Sequence, residues 1–332
     1  MMGIVMKKVS LSVAAVAVAA MGIGSASAAD LPAKVYKKAP PVEVVSPWDI
    51  AFGGGIMSDY VFRGVTQSAH NPSVTAYFEP RYNINKDLQL YVGSSFESIS
   101  FTNRAAAEVD IYGGVRPTFG PVAFDFGVWG YLYPGGKCAD GFGPAGGGPC
   151  FGDPTSIVIN NGNVLKKDVS FYEIYGKVNY TFNDYFALGG TVFYSPNFLN
   201  FGTDGTYASV VGKVTAPSTL FGTTGIGAYL SGEFGRQWLG TTDGFYGSIP
   251  LADYNTWNVG VGFTWKAFTL DLRYTDTDMS KGDCNALTSD WKTTSFGFPT
   301  AANSAAPFPG SNWCGARFVA KLSADVTLSG LK

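Results

Sequence analysis

Hydrophobic and polar residues alternate with a period of two along most of the chain after Trp48. In the segment 257–266 the odd-numbered residues are Trp, Val, Val, Phe and Trp, whereas the even-numbered residues are Asn, Gly, Gly, Thr and Lys. The next segment, 268–275, repeats the pattern with its hydrophobic residues at even numbers. Because successive side chains of a β-strand point to opposite faces, the pattern predicts strands with one hydrophobic face and one polar face.

Twelve segments of this kind can be placed along the chain. They cover residues 49–62, 72–83, 87–101, 107–118, 121–133, 169–182, 184–195, 206–216, 225–238, 255–266, 268–278 and 316–328. Most of them are 11 to 15 residues long. This length exceeds that of ordinary globular strands and suits strands that cross a membrane at an angle.

The connections between these segments alternate in length. Those after even-numbered segments are mostly short, such as 84–86 and 119–120, and those after odd-numbered segments are mostly long, such as 134–168 and 279–315. This asymmetry is typical of membrane barrels and is not expected of a β-sandwich. The sequence therefore predicts an all-β fold, a transmembrane antiparallel β-barrel of about 12 strands with short periplasmic turns and long external loops.

The N-terminal residues predict export from the cytoplasm. Two lysines precede a hydrophobic stretch, and residues 26–28 have the small side chains of a cleavage site, so we interpret residues 1–28 as a signal peptide. Residues 29–47 contain four prolines and match neither periodicity, which indicates a periplasmic tether. Residues 48–332 then form the barrel. The expected location is the cell outer membrane of a Gram-negative bacterium, with outer-membrane lipid as a partner.

Composition and charge narrow the range of functions. The 332 residues are 15% aromatic and only 14% charged, which is unusually little charge for a soluble surface. The formal net charge of −2 offers no basic surface for nucleic acid. The single histidine, His70, argues against chemistry that needs histidine clusters. We therefore predict no nucleic-acid partner, no catalytic residue, no cofactor and no metal.

Residues 58–68, with the sequence Ser-Asp-Tyr-Val-Phe-Arg-Gly-Val-Thr-Gln-Ser, resemble the signature of the TorF-type family of proteobacterial outer-membrane porins. The run Ala-Asp-Leu-Pro at 29–32 is similar to the mature start of many rhizobial outer-membrane proteins. The resemblance implies an outer-membrane β-barrel with pore activity. Barrels of this kind usually end in an aromatic residue that the barrel-assembly machinery reads, whereas the last predicted strand here is followed by Ser-Gly-Leu-Lys.

If the hydrophobic face of each strand contacts lipid, the charged residues lie on the opposite face and point into the interior of the barrel. The candidate pore-lining residues are Asp59, Arg63, Glu79, Arg81, Glu97, Glu108, Asp110, Arg116, Asp125, Glu173, Lys177, Asp271 and Arg273. In one interpretation these residues line a water-filled channel. In the other they neutralise one another in pairs and help to close a narrow interior. Arg236 falls on the hydrophobic face, which indicates either a position at the membrane interface or a register error or bulge.

The four cysteines lie in two of the long connections. Cys138 and Cys150 share one loop, and Cys284 and Cys314 share another. Four cysteines allow three connectivities, and we favour the two pairings within loops, because these close short loops in an oxidising compartment. Metal ligation by these cysteines is not expected, since the Cys-x₂-Cys spacing and histidine partners are missing.

Three functions from different classes follow from this fold. The leading hypothesis is a porin that allows passive diffusion of small hydrophilic solutes or ions, with loop 134–168 or loop 279–315 folded inward as a constriction. The second is an outer-membrane enzyme, for which no pairing of a serine with His70 can be recognised. The third is a non-conducting structural or surface-interaction barrel whose disulfide-closed loops contact other molecules. An oligomer is compatible with each of them.

Overall fold

The protein is a closed β-barrel of twelve strands, in which each strand runs antiparallel to both of its neighbours. This confirms the predicted fold class and the predicted number of strands. The computed structural model describes residues 47–141, 148–159, 161–293 and 310–331. The predicted signal peptide and, apart from Pro47, the predicted tether lie outside the described residues.

The strands of the wall are 10 to 14 residues long. In chain order they are β1 (Trp48–Met57), β2 (Ser73–Asn85), β3 (Leu88–Glu97), β4 (Glu108–Phe119), β5 (Val122–Leu132), β6 (Phe171–Asn183), β7 (Phe186–Ser195), β8 (Gly205–Thr215), β9 (Ile226–Leu239), β10 (Tyr254–Trp265), β11 (Phe268–Thr277) and β12 (Arg317–Thr327). Each pairs with the next along the chain, and β12 pairs with β1 to close the sheet. Because the sheet is closed, it has no edge with unpaired backbone N–H and C=O groups. Lipid could not provide hydrogen bonds to such groups.

The outer face of the wall is hydrophobic on every strand. Phe52 on β1, Val210 on β8 and Leu322 on β12 are exposed, with 38%, 56% and 45% of their surface accessible. Exposed aromatic residues such as Phe119 and Trp265 stand at the ends of strands that meet in short turns, as in the interfacial girdles of membrane barrels. The period of two in the sequence is therefore the contrast between the outer and inner faces of this wall.

Arg236 lies close to the external end of β9, where the pairing with both neighbouring strands continues without a register shift. Its guanidinium donates to Asn255 Oδ1 at 3.2 Å and forms an ion pair of 3.4 Å with Asp253. Of the two interpretations of this residue, the position at the interface therefore agrees with the structure, and the bulge does not.

The first and third predicted strands are longer than the strands in the structure. β1 ends at Met57 rather than at residue 62, and β3 ends at Glu97 rather than at residue 101. The residues that follow β1 leave the wall and fold back into the barrel. Alternation alone did not reveal where the wall ends.

A tight hairpin causes this departure from the wall. Phe62 pairs with Val65 across the two residues Arg63 and Gly64, which have φ angles of 48° and 81°. Two successive positive φ angles are typical of a type I′ turn, which favours glycine. A Cβ atom on Gly64 would overlap the methyl group of Thr277 at the end of β11, so only glycine fits this position.

The external loops pack together over one end of the barrel and form what we call the external cap. The cap consists of the described parts of loops 58–72, 98–107, 133–170, 196–204, 240–253 and 278–316. Every one of these loops contributes to a single hydrophobic cluster, for example through Val65, Phe101, Leu165, Leu251 and Trp313. The cap is therefore held together by a hydrophobic cluster, which continues into the barrel through inward-facing aromatic residues of the strands such as Tyr112 and Trp129.

Two disulfides and one short helix stabilise the external cap. Cys138 is bonded to Cys150 and Cys284 to Cys314, in agreement with the predicted pairing within each loop. Cys284 lies in the helix α1 (Lys281–Thr288), whose N-terminus is capped by the hydroxyl of Ser280. No helix in the described residues is long and hydrophobic enough to cross a membrane.

We expect unheated protein to migrate differently from boiled protein in SDS gel electrophoresis, because a closed barrel keeps its backbone hydrogen bonds within the sheet and resists SDS until it is heated. The difference should persist after reduction, since all four cysteines lie in the loops and none in the wall. Identical mobility of heated and unheated samples would contradict a closed barrel.

Candidate functional site

The charged residues predicted to line a pore are arranged in several distinct groups. Eleven of the thirteen lie on strands, on the inner face of the wall, and the other two, Asp59 and Arg63, lie in the loop between β1 and β2. The strand residues are Glu79 and Arg81 on β2, Glu97 on β3, Glu108, Asp110 and Arg116 on β4, Asp125 on β5, Glu173 and Lys177 on β6, and Asp271 and Arg273 on β11. We call residues 58–72, which carry the other two, the plug loop.

Arg63 anchors the plug loop to the inside of the wall. Its guanidinium binds both carboxylate oxygens of Glu173, at 2.9 and 2.7 Å, and also donates to Gln237 Oε1 at 2.9 Å. The side chains of Arg63 and Glu173 are almost completely buried. Burial alone would lower the pKa of Arg63, but the carboxylate of Glu173 outweighs it and the pKa is raised. The guanidinium is therefore permanently charged.

Aromatic rings surround this ion pair. The guanidinium carbon of Arg63 lies 4.5 Å from the ring centre of Phe62, 5.1 Å from that of Phe193 and 4.4 Å from that of Tyr207. These rings exclude water and attract the cation with their negative faces. The loop is therefore attached to strands on different parts of the wall by one desolvated side chain.

Asp59 holds the plug loop in shape. Its carboxylate accepts hydrogen bonds from the hydroxyls of Thr66 and, at 2.8 Å, of Ser68. The same carboxylate lies 3.1 Å from His70 Nδ1 and 3.2 Å from Arg317 Nη1 on β12. Asp59 thus ties both ends of the loop to each other and to the wall. Within the described residues no serine hydroxyl bonds to His70, and no Ser-His pair is formed.

Glu79, Arg81, Arg116 and Asp125 form a network deeper in the barrel. Glu79 pairs with Arg81 at 2.6 Å and with Arg116 at 2.7 Å, and Arg116 also pairs with Asp125 at 3.3 Å. On the opposite part of the wall Asp271 pairs with Arg273 at 2.9 Å. These pairs have the alternating charges expected of a neutralised interior. The pairs are not completely shielded from solvent, because the Arg116 side chain is 21% exposed.

Lys177 and the three acids Glu97, Glu108 and Asp110 have no salt bridge within 4.0 Å among the described residues. Lys177 lies over the rings of Tyr175 and Phe193 instead. The three acids are buried together near the external end of the barrel. The alternation of hydrophobic and polar residues predicted that all four side chains lie on the inner face, but it gave no indication of their different surroundings.

A hydrophobic cavity of about 50 Å³ lies within the external cap. Its lining includes Phe62 and Val65 from the plug loop, Phe101, Phe198 and Trp313. The cavity belongs to the packed core of the cap and has no charged lining residue. The described part of the cap therefore places hydrophobic side chains over the external end of the barrel, whereas the inner wall carries charged residues.

The plug loop is an inward-folded segment that the sequence did not indicate, and it carries a charged side chain that reaches the wall. That loop 134–168 or loop 279–315 constricts the lumen stays a prediction. The described parts of the two longer loops pack above it in the cap. Gln237, His70 and Arg317 belong to the same site and were not among the predicted residues, since their contacts join segments that are far apart in sequence.

Comparison with known proteins gives one family and several solved barrels. The model of a family described as "Bacterial protein of unknown function (Gcw_chp)" matches residues 42–304. No curated protein matches the chain. The TorF-type resemblance stays a prediction.

Three solved structures are similar to this chain over most of its length. The COG4313 outer membrane channel from Pseudomonas putida F1 is 11% identical, with 88% of this chain and 100% of that chain covered and a TM-score of 0.43. LpxR from Salmonella typhimurium is 10% identical, with coverages of 83% and 99% and a TM-score of 0.37. A loop L8 deletion mutant of OmpT from Vibrio cholerae is 12% identical, with coverages of 84% and 98% and a TM-score of 0.34. The barrel architecture of this protein rests on its own strand pairing.

Proposed function

The chain belongs to the Gcw_chp family of bacterial proteins of unknown function, and we propose that this member is an outer-membrane porin through which small hydrophilic solutes or ions diffuse passively. The proposal includes the TorF-type resemblance of residues 58–68, export by a signal peptide at residues 1–28 and insertion by the barrel-assembly machinery. It includes no catalytic step and no cofactor.

The outer face supports a position in a membrane. Large hydrophobic side chains are exposed on all twelve strands, as on β6, where Ile174 is 51% and Val178 is 40% exposed. Such a surface in water would be unfavourable and prone to association. In a bilayer the same side chains would contact lipid tails instead of water, and no further protein partner would be needed to cover them. A closed antiparallel barrel of even strand number is the architecture of outer-membrane proteins.

The observation that carries the proposal is a charged inner wall that is partly accessible to solvent. The side chains of Arg116, Arg273 and Asp271 are 21%, 18% and 17% exposed although they point into the barrel. Charged side chains keep this exposure only where water reaches them. A hydrated interior behind a hydrophobic belt is what passive diffusion of hydrophilic solutes requires.

The plug loop limits this passage at the external end. Its ion pair with Glu173 lies across the interior, and the hydrophobic cluster of the cap covers it. We therefore propose that the plug loop is the constriction, and that conduction depends on how often it moves. The closed cap also favours the second candidate, a non-conducting barrel whose loops bind other molecules at the surface.

Electrical recording on purified protein in planar lipid bilayers tests the proposal. We expect discrete conductance steps, and we expect Asp271→Asn to shift the reversal potential in a salt gradient away from cations, because a negative charge is removed from the hydrated wall. Asp153→Asn, at a half-buried position in an external loop, is the matched control and should leave the reversal potential unchanged. Absence of conductance at any voltage would overturn the channel and favour the non-conducting barrel.

A further inference from the structure

The inner face of the barrel carries different side chains on its two sides. On β3 to β6 it carries large aromatic residues, each between 3% and 8% exposed, which are Tyr91, Tyr112, Trp129, Tyr131, Phe171 and Tyr175. On β12 and β1 the inward residues near the middle of the strands include Lys321, Ser323 and Gly55. We call these two parts of the inner face the aromatic side and the β12 side.

The aromatic side is filled because its rings pack on one another across the strands. Tyr112 stacks on Trp129 with ring centres 3.9 Å apart, and Tyr131 stacks on Phe171 at 4.4 Å. The hydroxyls of Tyr91 and Tyr175 contact each other, although two strands separate β3 from β6 in the sheet. Side chains packed in this way exclude water from the aromatic side.

Surface accessibility follows the same division. Ser95 on β3 is 3% exposed, and Asp110 on β4 has no accessible surface. On β12 the successive inward residues Val319, Lys321 and Ser323 are all half-buried and keep accessible surface. Val319 and Ser95 are each the third residue from the external end of their strand. Charged and polar side chains keep accessible surface inside a barrel only where water reaches them, so the β12 side is the hydrated one.

We propose that solutes pass along one side of the barrel, over the inner face of β12, where Lys321 and Ser323 contact them. The inference rests on the proposed function and specifies the route within it. Gly55 on β1 pairs with Ser323, and neither residue of this pair has a large side chain. The space for a solute therefore lies beside this pair, and the rings of the aromatic side occupy the remainder of the interior.

The charges beside this route balance one another. The inward ionisable residues in the middle of β11 and β12 are two acids, Asp271 and Asp325, and two bases, Arg273 and Lys321. Asp271 and Arg273 form an ion pair at 2.9 Å. A wall with equal numbers of both charges attracts neither cations nor anions strongly. The route therefore suits small polar solutes that carry no net charge.

The route reaches the plug loop at the external end of β12. Arg317, the first residue of this strand, forms an ion pair of 3.2 Å with Asp59 of the plug loop. His70 lies 3.1 Å from the same carboxylate. Arg63 anchors the loop elsewhere, on Glu173 of β6. A solute that follows β12 therefore meets the plug loop at Asp59 rather than at Arg63.

Cysteine labelling tests the route without requiring conduction. The four native cysteines form two disulfides, so no native thiol competes. Single cysteines are introduced as Val319→Cys, Ser323→Cys and Ser95→Cys, and the detergent-solubilised proteins are treated with a charged, hydrophilic methanethiosulfonate reagent. The two β12 variants should be labelled roughly tenfold or more faster than Ser95→Cys, because a thiol reacts only where the reagent reaches it. Mass spectrometry measures the extent of labelling over time.

Ser95→Cys is the matched control, since Ser95 faces inward on the aromatic side at the same distance from the external end of its strand as Val319. Each variant is checked for the gel mobility of folded barrel, and all three should be labelled completely after denaturation. Ser323→Cys is a conservative change and decides the test if Val319→Cys fails to fold. Labelling of Ser95→Cys as fast as that of the β12 variants, or protection of the β12 variants, would overturn the route.

Electrical recording then connects the route with conduction. Labelling of Ser323→Cys should reduce single-channel conductance by roughly half or more, because the attached group narrows the route. In a salt gradient the unmodified protein should have a reversal potential near zero, and a strong preference for either ion would contradict the balance of charges. Unchanged conductance after complete labelling would overturn passage along β12. Absence of conductance before labelling would overturn the proposed channel instead, so the two failures are distinguishable.

Discussion

Replacing Arg63 with alanine is expected to release the plug loop from the wall. The change leaves Glu173 buried without its cation, and removing one partner of a buried ion pair costs about 3–5 kcal/mol. The strands themselves do not depend on Arg63, because its contacts are with side chains of the inner face rather than with the backbone ladder. The cost should therefore fall on the position of the loop, and the barrel should stay folded.

Hydrogen exchange of the plug-loop amides measures this release. The amide of Thr66 donates to Trp313 O at 2.9 Å and that of Gln67 to Tyr60 O at 2.7 Å. If loop opening is the route of exchange, these amides should exchange roughly a hundred-fold to several-thousand-fold faster in Arg63→Ala, at about 1.4 kcal/mol per tenfold. Single-channel conductance should rise in the same variant, because the constriction is displaced more often.

Arg104→Ala is the matched control for this variant. Arg104 also lies in an external loop, has a positive φ of 58° and stands over an aromatic ring, that of Trp291, at 4.3 Å. It is exposed and has no salt bridge among the described residues. Its replacement should leave exchange in the plug loop unchanged. Equal exchange rates in Arg63→Ala and the unmodified protein would contradict an anchoring role of the ion pair.

A second variant separates the effect of leaving Glu173 without a cation from the effect of losing the other side-chain contacts of Arg63. In Arg63→Ala/Glu173→Gln the buried negative charge is also removed, so part of the protection of the loop amides should return. Continued fast exchange in this double variant would mean that the contacts of Arg63 with Phe62 and Tyr207 hold the loop, rather than its charge.

Introducing arginine at the middle of the outer face should strongly destabilise the barrel in lipid. Val210 lies at the centre of β8 and is 56% exposed. If the wall spans a bilayer, Val210→Arg places a cation at the midplane and lowers the free energy of unfolding by about 2–4 kcal/mol. Denaturant titration of the protein folded in lipid vesicles, followed by tryptophan fluorescence, measures this quantity.

Val214→Arg supplies the matched control on the same strand and the same face. Val214 is 49% exposed and pairs with Phe186, which lies beside the turn between β6 and β7. At this depth an arginine should cost only about 0–1 kcal/mol, because the side chain reaches the interface. Costs that are equal at both positions would contradict a membrane-spanning wall, since water would surround both side chains alike.

The strands could be predicted from the sequence because the relevant contrast is local. The predicted segment 255–266 corresponds to β10, Tyr254–Trp265, and 268–278 corresponds to β11, Phe268–Thr277. Each residue of such a strand faces either the outside or the interior of the barrel, and its side chain is hydrophobic or polar accordingly. Prediction was wrong at residues 58–62, which the first predicted strand included and which lie beyond the end of β1.

The groups that make up the candidate site could be predicted only in part. Strand phase identified Glu97, Glu108 and Asp110 as inward residues, and the structure places them there. The alternation could not distinguish these three acids, which have no salt bridge within 4.0 Å among the described residues, from Glu79, which has two arginine partners. The difference depends on which strands are neighbours and on how far each residue lies from the rim, and neither is a property of a single segment.

The sequence by itself determined the barrel, the direction of its strands and the face on which charge lies, because strand geometry and the two environments act on each residue locally. Only the tertiary structure decided which segment folds into the barrel and where it is anchored. The contact between Arg63 and Glu173 joins residues separated by 110 positions, and that between Arg63 and Gln237 spans 174. Closing the barrel brings such distant strands to one interior, so the position of the plug loop and its ion pair exist only once the sheet is complete.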